Sequence, residues 1–208
     1  MSKAWTRIDV RMAYGVSNLD PEDNCFYLME YTKGGWDKSD ANQKIANFKK
    51  DMDRKNKKEW WYKGEAIRNF SDDLSGFLIG SAFTRRTTLL VAMPTSNMRS
   101  SKDYDDRIIQ TLQLVNAKTG LRCIDPFDPI RDAPASHLGG TRDPEVIRRN
   151  LVLNSSAEAL KDFEVCLLVD DVITSGAHYV ACRTMVEERF PHLQVAGLFW
   201  AKTAKAGT

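Results

Sequence analysis

The 208-residue sequence predicts an α/β protein organised around a sheet. Two observations carry this reading. Beyond about residue 80, apolar runs of strand length alternate with segments of helical periodicity. Before that point the chain has a different character, holding four of the five tryptophans and most of the lysines. The expected division is therefore an N-terminal strand and helix elaboration over residues 1–80 and a core over residues 81–208. One domain with an elaboration suits this length, since domains run to about 100–200 residues.

Cys25–Tyr31 (CFYLMEY) reads as the first strand, and the Gly pair in Lys33–Asp40 as a loop. Asp40 can cap a helix in which Ile45, Phe48 and Met52 fall at i, i+3 and i+7, on one face. A second helix is expected over Glu59–Phe77, with Ile67, Phe70, Leu74 and Phe77 on its stripe. Thr88–Met93 is a continuous apolar run, as in a strand buried on both faces, and Pro94 ends it. Ile108, Leu112 and Val115 align in a helix over Tyr104–Ala117, and Leu121–Ile124 is a short strand. Asp125–Thr141, with three prolines and two adjacent glycines, reads as a long loop of the kind often tied to function. Asp143-Pro144 has the form of an N-cap with proline at N1, opening a helix to about Arg149. A buried strand over Val165–Val169, a helix over about Gly176–Arg189 and a strand over Leu193–Trp200 complete the series.

Thirty basic and 28 acidic residues leave a net charge of +2, so no global field draws the chain to nucleic acid or membrane. Cys25, Cys123, Cys166 and Cys182 form no CxxC pair and read as free thiols of a reducing compartment. The first residues, MSKAWTRIDVRM, lack a signal-peptide core, and no stretch nears the ~18 apolar residues of a membrane span. A cytoplasmic protein is expected.

The segment Val165–His178 (VCLLVDDVITSGAH) concentrates the chemistry. An apolar strand delivers Asp170 and Asp171 to its carboxyl end, where ligands bind in open α/β sheets. A Thr174-Ser175-Gly176 turn and a helix start follow. Unpaired N–H groups at a helix start suit a phosphate, glycine permits close approach, and hydroxyls add hydrogen bonds. Carboxylates beside them can accept from vicinal ribose hydroxyls or reach a hydrated Mg²⁺. One loop can thus read both ends of a ribose 5-phosphate.

In these residues the chain resembles the signature of type I phosphoribosyltransferases: an apolar run, two acids, an apolar pair, then Thr-Ser-Gly. Pro94–Lys202, about half of the chain, is similar to the catalytic half of ComF-like phosphoribosyltransferase proteins and related bacterial ones. The resemblance implies a parallel-sheet core with helices on both faces, plus the N-terminal α+β elaboration. It implies that Asp170 and Asp171 hold the ribose hydroxyls and Mg²⁺ through water, as catalytic groups. Val172, Ile173, Thr174, Ser175, Gly176, Ala177 and His178 would then bind the phosphoribosyl group. Family members usually carry a hydroxyl residue where this chain has His178. A neutral imidazole can donate one hydrogen bond there, a protonated one can bind phosphate as a cation, and a histidine can also merely pack on the helix.

By the same resemblance, Pro94, Thr95, Ser96 and Asn97 would form the pyrophosphate loop, with Lys102 and Arg107 as its cations. Arg107 can instead pair with Asp103 at i, i+4. His137 and Arg142, flanking Gly139-Gly140, would belong to a mobile catalytic loop that closes on the substrate. Residues 1–80 are the one candidate for an acceptor-selecting hood. Trp60, Trp61 and Tyr62 can stack on a base or pack in the core. The basic run from Lys49 to Lys58 can bind single-stranded nucleic acid or be a solvated helix end. The expected function is Mg²⁺-dependent binding of 5-phosphoribosyl 1-pyrophosphate, or of a nucleotide, and transfer of the phosphoribosyl group to or from a nitrogen. The alternative is a non-catalytic module that senses such compounds or assists nucleic-acid processing. A small-molecule substrate is the expected partner, and a homodimer the commonest assembly. A dinucleotide-binding enzyme is excluded because no GxGxxG follows the first core strand, and the three histidines lack metal-ligand spacing.

Overall fold

The structure is a computed structural model that describes residues 4–11, 15–32, 35, 37–132 and 141–204. Among the described residues, eight strands and five α-helices follow one another as β1 (Thr6–Arg7), β2 (Asn24–Thr32), α1 (Asp40–Phe48), α2 (Trp61–Ile79), β3 (Thr88–Ala92), α3 (Arg107–Thr119), β4 (Cys123–Ile124), β5 (Phe127–Pro129), α4 (Pro144–Arg148), β6 (Leu151–Leu153), β7 (Val165–Ile173), α5 (Ala177–Arg189) and β8 (Gln194–Ala204). Six strands form one sheet in the order β1-β2-β8-β7-β3-β4, parallel except for β1 at its edge. β5 and β6 form a separate antiparallel ribbon.

Strand periodicity sorts the core into two layers. Leu89, Val91, Cys166 and Leu168 pack against α4 and α5 through Ile147, Tyr179, Cys182 and Val186. Leu90, Ala92, Leu167 and Val169, the alternate positions, pack against α1, α2 and α3 through Phe48, Phe70, Leu74 and Leu112. The sheet is therefore mostly parallel with helices on both faces, as expected. β2 is part of it: it pairs with β8 from Asn24↔Ala196 to Thr32↔Ala204. Trp200 of β8 is fully buried, stacked on Phe70 with centroids 4.9 Å apart and edge-on to Phe48 at 5.5 Å.

The chain leaves β3 through α3 for β4 on one side and leaves β7 through α5 for β8 on the other. The carboxyl ends of β3 and β7 thus flank a topological switch point, where the diverging connections leave a crevice.

Several boundaries differ from the sequence reading. Ser39, not Asp40, caps α1: its extended backbone turns Oγ to accept from the Asn42 N–H at 3.1 Å. α1 ends at Phe48, so Met52 lies in a 3-10 turn rather than on the helix face. The Lys63 amine donates to the Phe48 and Lys50 carbonyls at 3.0 and 2.9 Å, satisfying the end of α1 with a cation where the helix dipole favours one. α3 starts at Arg107 after a turn at Ser101–Tyr104. The expected loop over 125–141 contains β5, which the prolines concealed. Asp143 caps α4 by accepting from the Glu145 N–H, with Pro144 at N1 as expected.

Candidate functional site

A cleft of about 650 Å³ opens at the switch point. Two loops form its walls. One is Met93–Asn97 at the end of β3; the other is Asp170–Tyr179, from the end of β7 into α5. Thr141, Arg107 and the turn after α1 complete it. Sequence-distant segments expected to cooperate thus face one space.

The β7–α5 loop is shaped by its backbone. Gly176 adopts φ +83, and a Cβ there would stand 2.8 Å from Leu19 Cδ2, so this position requires glycine. Ile173 and Ala177 turn their side chains into the core against α4 and α5, and Val172 packs against the opposite layer. Ile173 and Ala177 can offer a ligand only backbone. Gly176 at the N-cap offers no side chain, the Ser175 hydroxyl accepts from the Ala177 N–H at 3.4 Å, and the first turn of α5 lines the cleft. Among the described residues, the N–H groups of Thr174, Ser175 and Gly176 have no protein partner, while the Ser175 carbonyl accepts from Asn18 N and Nδ2 at 2.9 and 3.2 Å. Asn18 Nδ2 also donates to the Arg142 carbonyl, clamping the back of the loop. The result is a concave run of donors at the positive end of a 13-residue helix, which fits a phosphate.

Consecutive strand residues point to opposite faces, and the two acids meet different company. Asp171 is 2% exposed and points toward α1 and α3. Its Oδ1 lies 2.9 Å from Lys49 Nζ, and its Oδ2 accepts from Arg107 Nε and Nη2 at 3.0 and 2.8 Å. Burial alone would raise its pKa, but Lys49 and Arg107 together hold it below the ordinary carboxylate range. Asp170 forms no ion pair among the described residues, and Lys49 and Arg107 act on it only from further away. Burial first, and the Asp171 charge second, push its pKa well up. Its Oδ1 accepts from the Asp171 N–H at 2.7 Å, leaving Oδ2 toward the cleft without a protein hydrogen bond among the described residues.

Arg107 is one link in a chain of alternating charges. Its Nη1 donates to Asp105 Oδ2 at 2.7 Å, and that oxygen also receives the buried Lys63 amine at 2.6 Å. The guanidinium lies over the Phe48 ring at 5.5 Å. The expected alternative partner Asp103 is not the one it takes.

Thr95, Ser96 and Asn97 line the cleft with backbone N–H groups that have no protein partner among the described residues. Asn97 Nδ2 donates to the Asp103 carbonyl and Thr95 Oγ1 to the Asn97 carbonyl, which fixes the loop. Pro94 is buried at its root. Lys102 is exposed and does not line the cleft. Arg99 is taken up by Asp125, Asp128 and the Tyr104 hydroxyl. Arg142 is exposed next to the cleft-lining Thr141, and His137 lies outside the described residues. His178 lines the cleft; burial and the nearby Lys49 charge lower its pKa, favouring the neutral imidazole.

Lys49, which the sequence offered only as part of a basic run, and Asp51 and Asp53 beside it reach the cleft from the turn after α1. Nothing local distinguishes them from a solvated basic run; their role depends on where α1 docks. Trp61 and Tyr62 stack on each other at 4.0 Å, exposed, and Trp60 lies under the Lys63 amine. None of the three lines the cleft, and the first two are not core.

Among the described residues, no three His, Cys, Asp or Glu side chains converge to hold a metal. The lining nonetheless sets six carboxylates (Asp51, Asp53, Asp103, Asp105, Asp170, Asp171) against Lys49 and Arg107. A phosphate-rich ligand would need a cation of its own, and Mg²⁺ commonly enters with substrate phosphates, held by one or two carboxylates and water. Asp170 Oδ2 suits such an outer-sphere contact. No helix is long and apolar enough to cross a membrane among the described residues. No protein-family model matches the chain, and no curated protein matches it in sequence.

Proposed function

We propose that the cleft binds 5-phosphoribosyl 1-pyrophosphate, or a nucleotide, with Mg²⁺ and transfers the phosphoribosyl group to or from a nitrogen acceptor. The observation that carries this reading is the meeting, across one switch-point crevice, of two donor-rich backbone loops with an acidic strand end between them. The Thr174–His178 backbone holds the 5-phosphate. Asp170 accepts from a ribose hydroxyl through its unengaged oxygen. The Thr95–Asn97 N–H groups receive the pyrophosphate; a Mg²⁺ ion, which Asp170 would hold through water, would supply the charge compensation the acidic lining lacks. In the forward direction the bond from ribose C1 to the pyrophosphate oxygen breaks, its electron pair leaving with pyrophosphate. The acceptor nitrogen bonds to C1 and gives up its proton to the departing pyrophosphate or to water. The protein's contribution is position and electrostatics, with no covalent intermediate.

The engagement of both Asp171 oxygens by Lys49 and Arg107 favours a second reading, a module that binds the phosphoribosyl compound without turning it over. Such a module can serve as a sensor or as an accessory in nucleic-acid processing. Incubation with 5-phosphoribosyl 1-pyrophosphate, Mg²⁺ and a panel of nucleobases, with pyrophosphate release as readout, separates the two. Base-dependent release is expected of the enzyme; measurable binding without release establishes the module. Absence of binding to both the activated sugar and nucleotides discards both readings.

A further inference from the structure

We infer that Lys49 is a displaceable counter-ion: its amine moves from Asp171 to the diphosphate of the incoming ligand and so makes the cleft select diphosphate-bearing sugars over ribose 5-phosphate. This rests on the phosphoribosyl reading above and assigns a ligand-contacting role to a residue of the N-terminal segment.

The argument starts from the unequal anchoring of the two cations in the cleft. Arg107 is fixed: its guanidinium makes two hydrogen bonds to Asp171 and one to Asp105, rests on Phe48, and is 16% exposed. Moving it would break three hydrogen bonds and leave Asp105 with Lys63 alone and Asp171 with Lys49 alone. Lys49 has one ionic partner among the described residues, Asp171 Oδ1, and is 33% exposed at the cleft wall. It stands at the end of α1 on a flexible four-carbon stem. Of the two cations, only Lys49 can turn to a ligand without opening the core.

Departure of Lys49 leaves Asp171 still paired with Arg107 and frees Oδ1 for a ribose hydroxyl or a water of the Mg²⁺ shell. An anion at C1 draws the amine away, and the vacated oxygen completes the sugar site. Ribose 5-phosphate has no anion at C1 and leaves the Lys49–Asp171 pair closed. The diphosphate then both attracts the lysine and opens the acid.

Titration of the full chain with three probes in Mg²⁺ tests this: inorganic pyrophosphate, ribose 5-phosphate and 5-phosphoribosyl 1-pyrophosphate, against wild type, Lys49→Gln and Lys49→Met. Loss of one charge-assisted contact should weaken both diphosphate probes about tenfold or more. Ribose 5-phosphate should bind both variants at least as well as it binds wild type. Equal weakening of all three probes, or unchanged diphosphate binding, overturns the inference while the proposed function stands. Wild type that binds no probe overturns both. Superimposable circular dichroism of the variants excludes misfolding as the cause of a loss, and agreement between Gln and Met excludes an effect of the new side chain.

Discussion

Arg107 joins two buried carboxylates that would otherwise repel each other across the base of the cleft. Removing one partner of a buried pair costs about 3–5 kcal/mol, because the remaining charge has lost its solvent and its counter-ion. Asp105 keeps Lys63 and Asp171 keeps Lys49, so Arg107→Met should lower the unfolding free energy by about 3 kcal/mol, the low end of that range, read as a lower urea midpoint. The sign of its pH dependence follows from Asp171. Its folded pKa is depressed, so the pairing contributes stability above the unfolded carboxylate pKa and loses it as pH falls through the folded one. The gap between wild type and Arg107→Met should be widest at neutral pH and shrink in acid. Asp170 runs the other way. Its folded pKa is raised, so ionisation opposes folding, and stability is lost as pH rises through that pKa. Asp170→Asn should stabilise the ligand-free protein by about 1–2 kcal/mol at mildly alkaline pH, little in acid, and should weaken ribose 5-phosphate binding. A variant that melts lower than wild type at alkaline pH would contradict this. The acid pair was legible in the sequence because its context is contiguous. The different company each acid keeps was not, since Lys49 and Arg107 come from elements far away in the chain.

The elements that build the site are short, and their geometry rests on a few positions. Gly176 sets the turn from β7 into α5 at φ +83, where an L side chain costs about 1–2 kcal/mol before any clash. Gly176→Ala adds contact with Leu19, which packs against the same turn, and shifts the Thr174–Gly176 N–H groups. The expected result is a melting temperature several degrees lower and loss of phosphate binding, read by thermal shift with and without phosphate. Unchanged phosphate binding would show that these N–H groups are not the cradle. β3, β7 and α5 were readable because each is an uninterrupted apolar run or a periodic stripe bounded by Pro or Gly. β5 and β6 were not: each has three residues, one includes Pro129, and their pairing joins Phe127 to Leu153 across a connection too long for a hairpin turn to announce it. Asn18 escaped for a similar reason, since its hydrogen bonds reach Ser175 and Arg142 by tertiary placement alone.

At the scale of the molecule, the N-terminal segment is structural before it is anything else. β2 extends the parallel sheet beyond β8, and α1 and α2 cover the face that carries Leu198 and Trp200. Without residues 1–80, β8 becomes an open edge, and Trp200 loses Phe48 and Phe70 to water. Burying a single large apolar side chain contributes about 1.5–3 kcal/mol, and this layer holds several, against a total stability of about 5–15 kcal/mol. Lys63 and Lys49 would also be missing, leaving Asp105 and Asp171 to share Arg107 alone. A fragment of residues 81–208 should therefore fail to fold cooperatively, keeping some far-ultraviolet signal but losing the near-ultraviolet band of Trp200 and any sharp melt. A fragment that melts sharply would mean that the core closes without β2, and that residues 1–80 are free to act purely as a hood. The composition shift near residue 80 is visible in the sequence, yet the strand pairing that crosses it is not. β2 and β8 lie at opposite ends of the chain, and only the closed sheet shows that the N-terminal segment serves the same core whose cleft it lines through Lys49, Asp51 and Asp53.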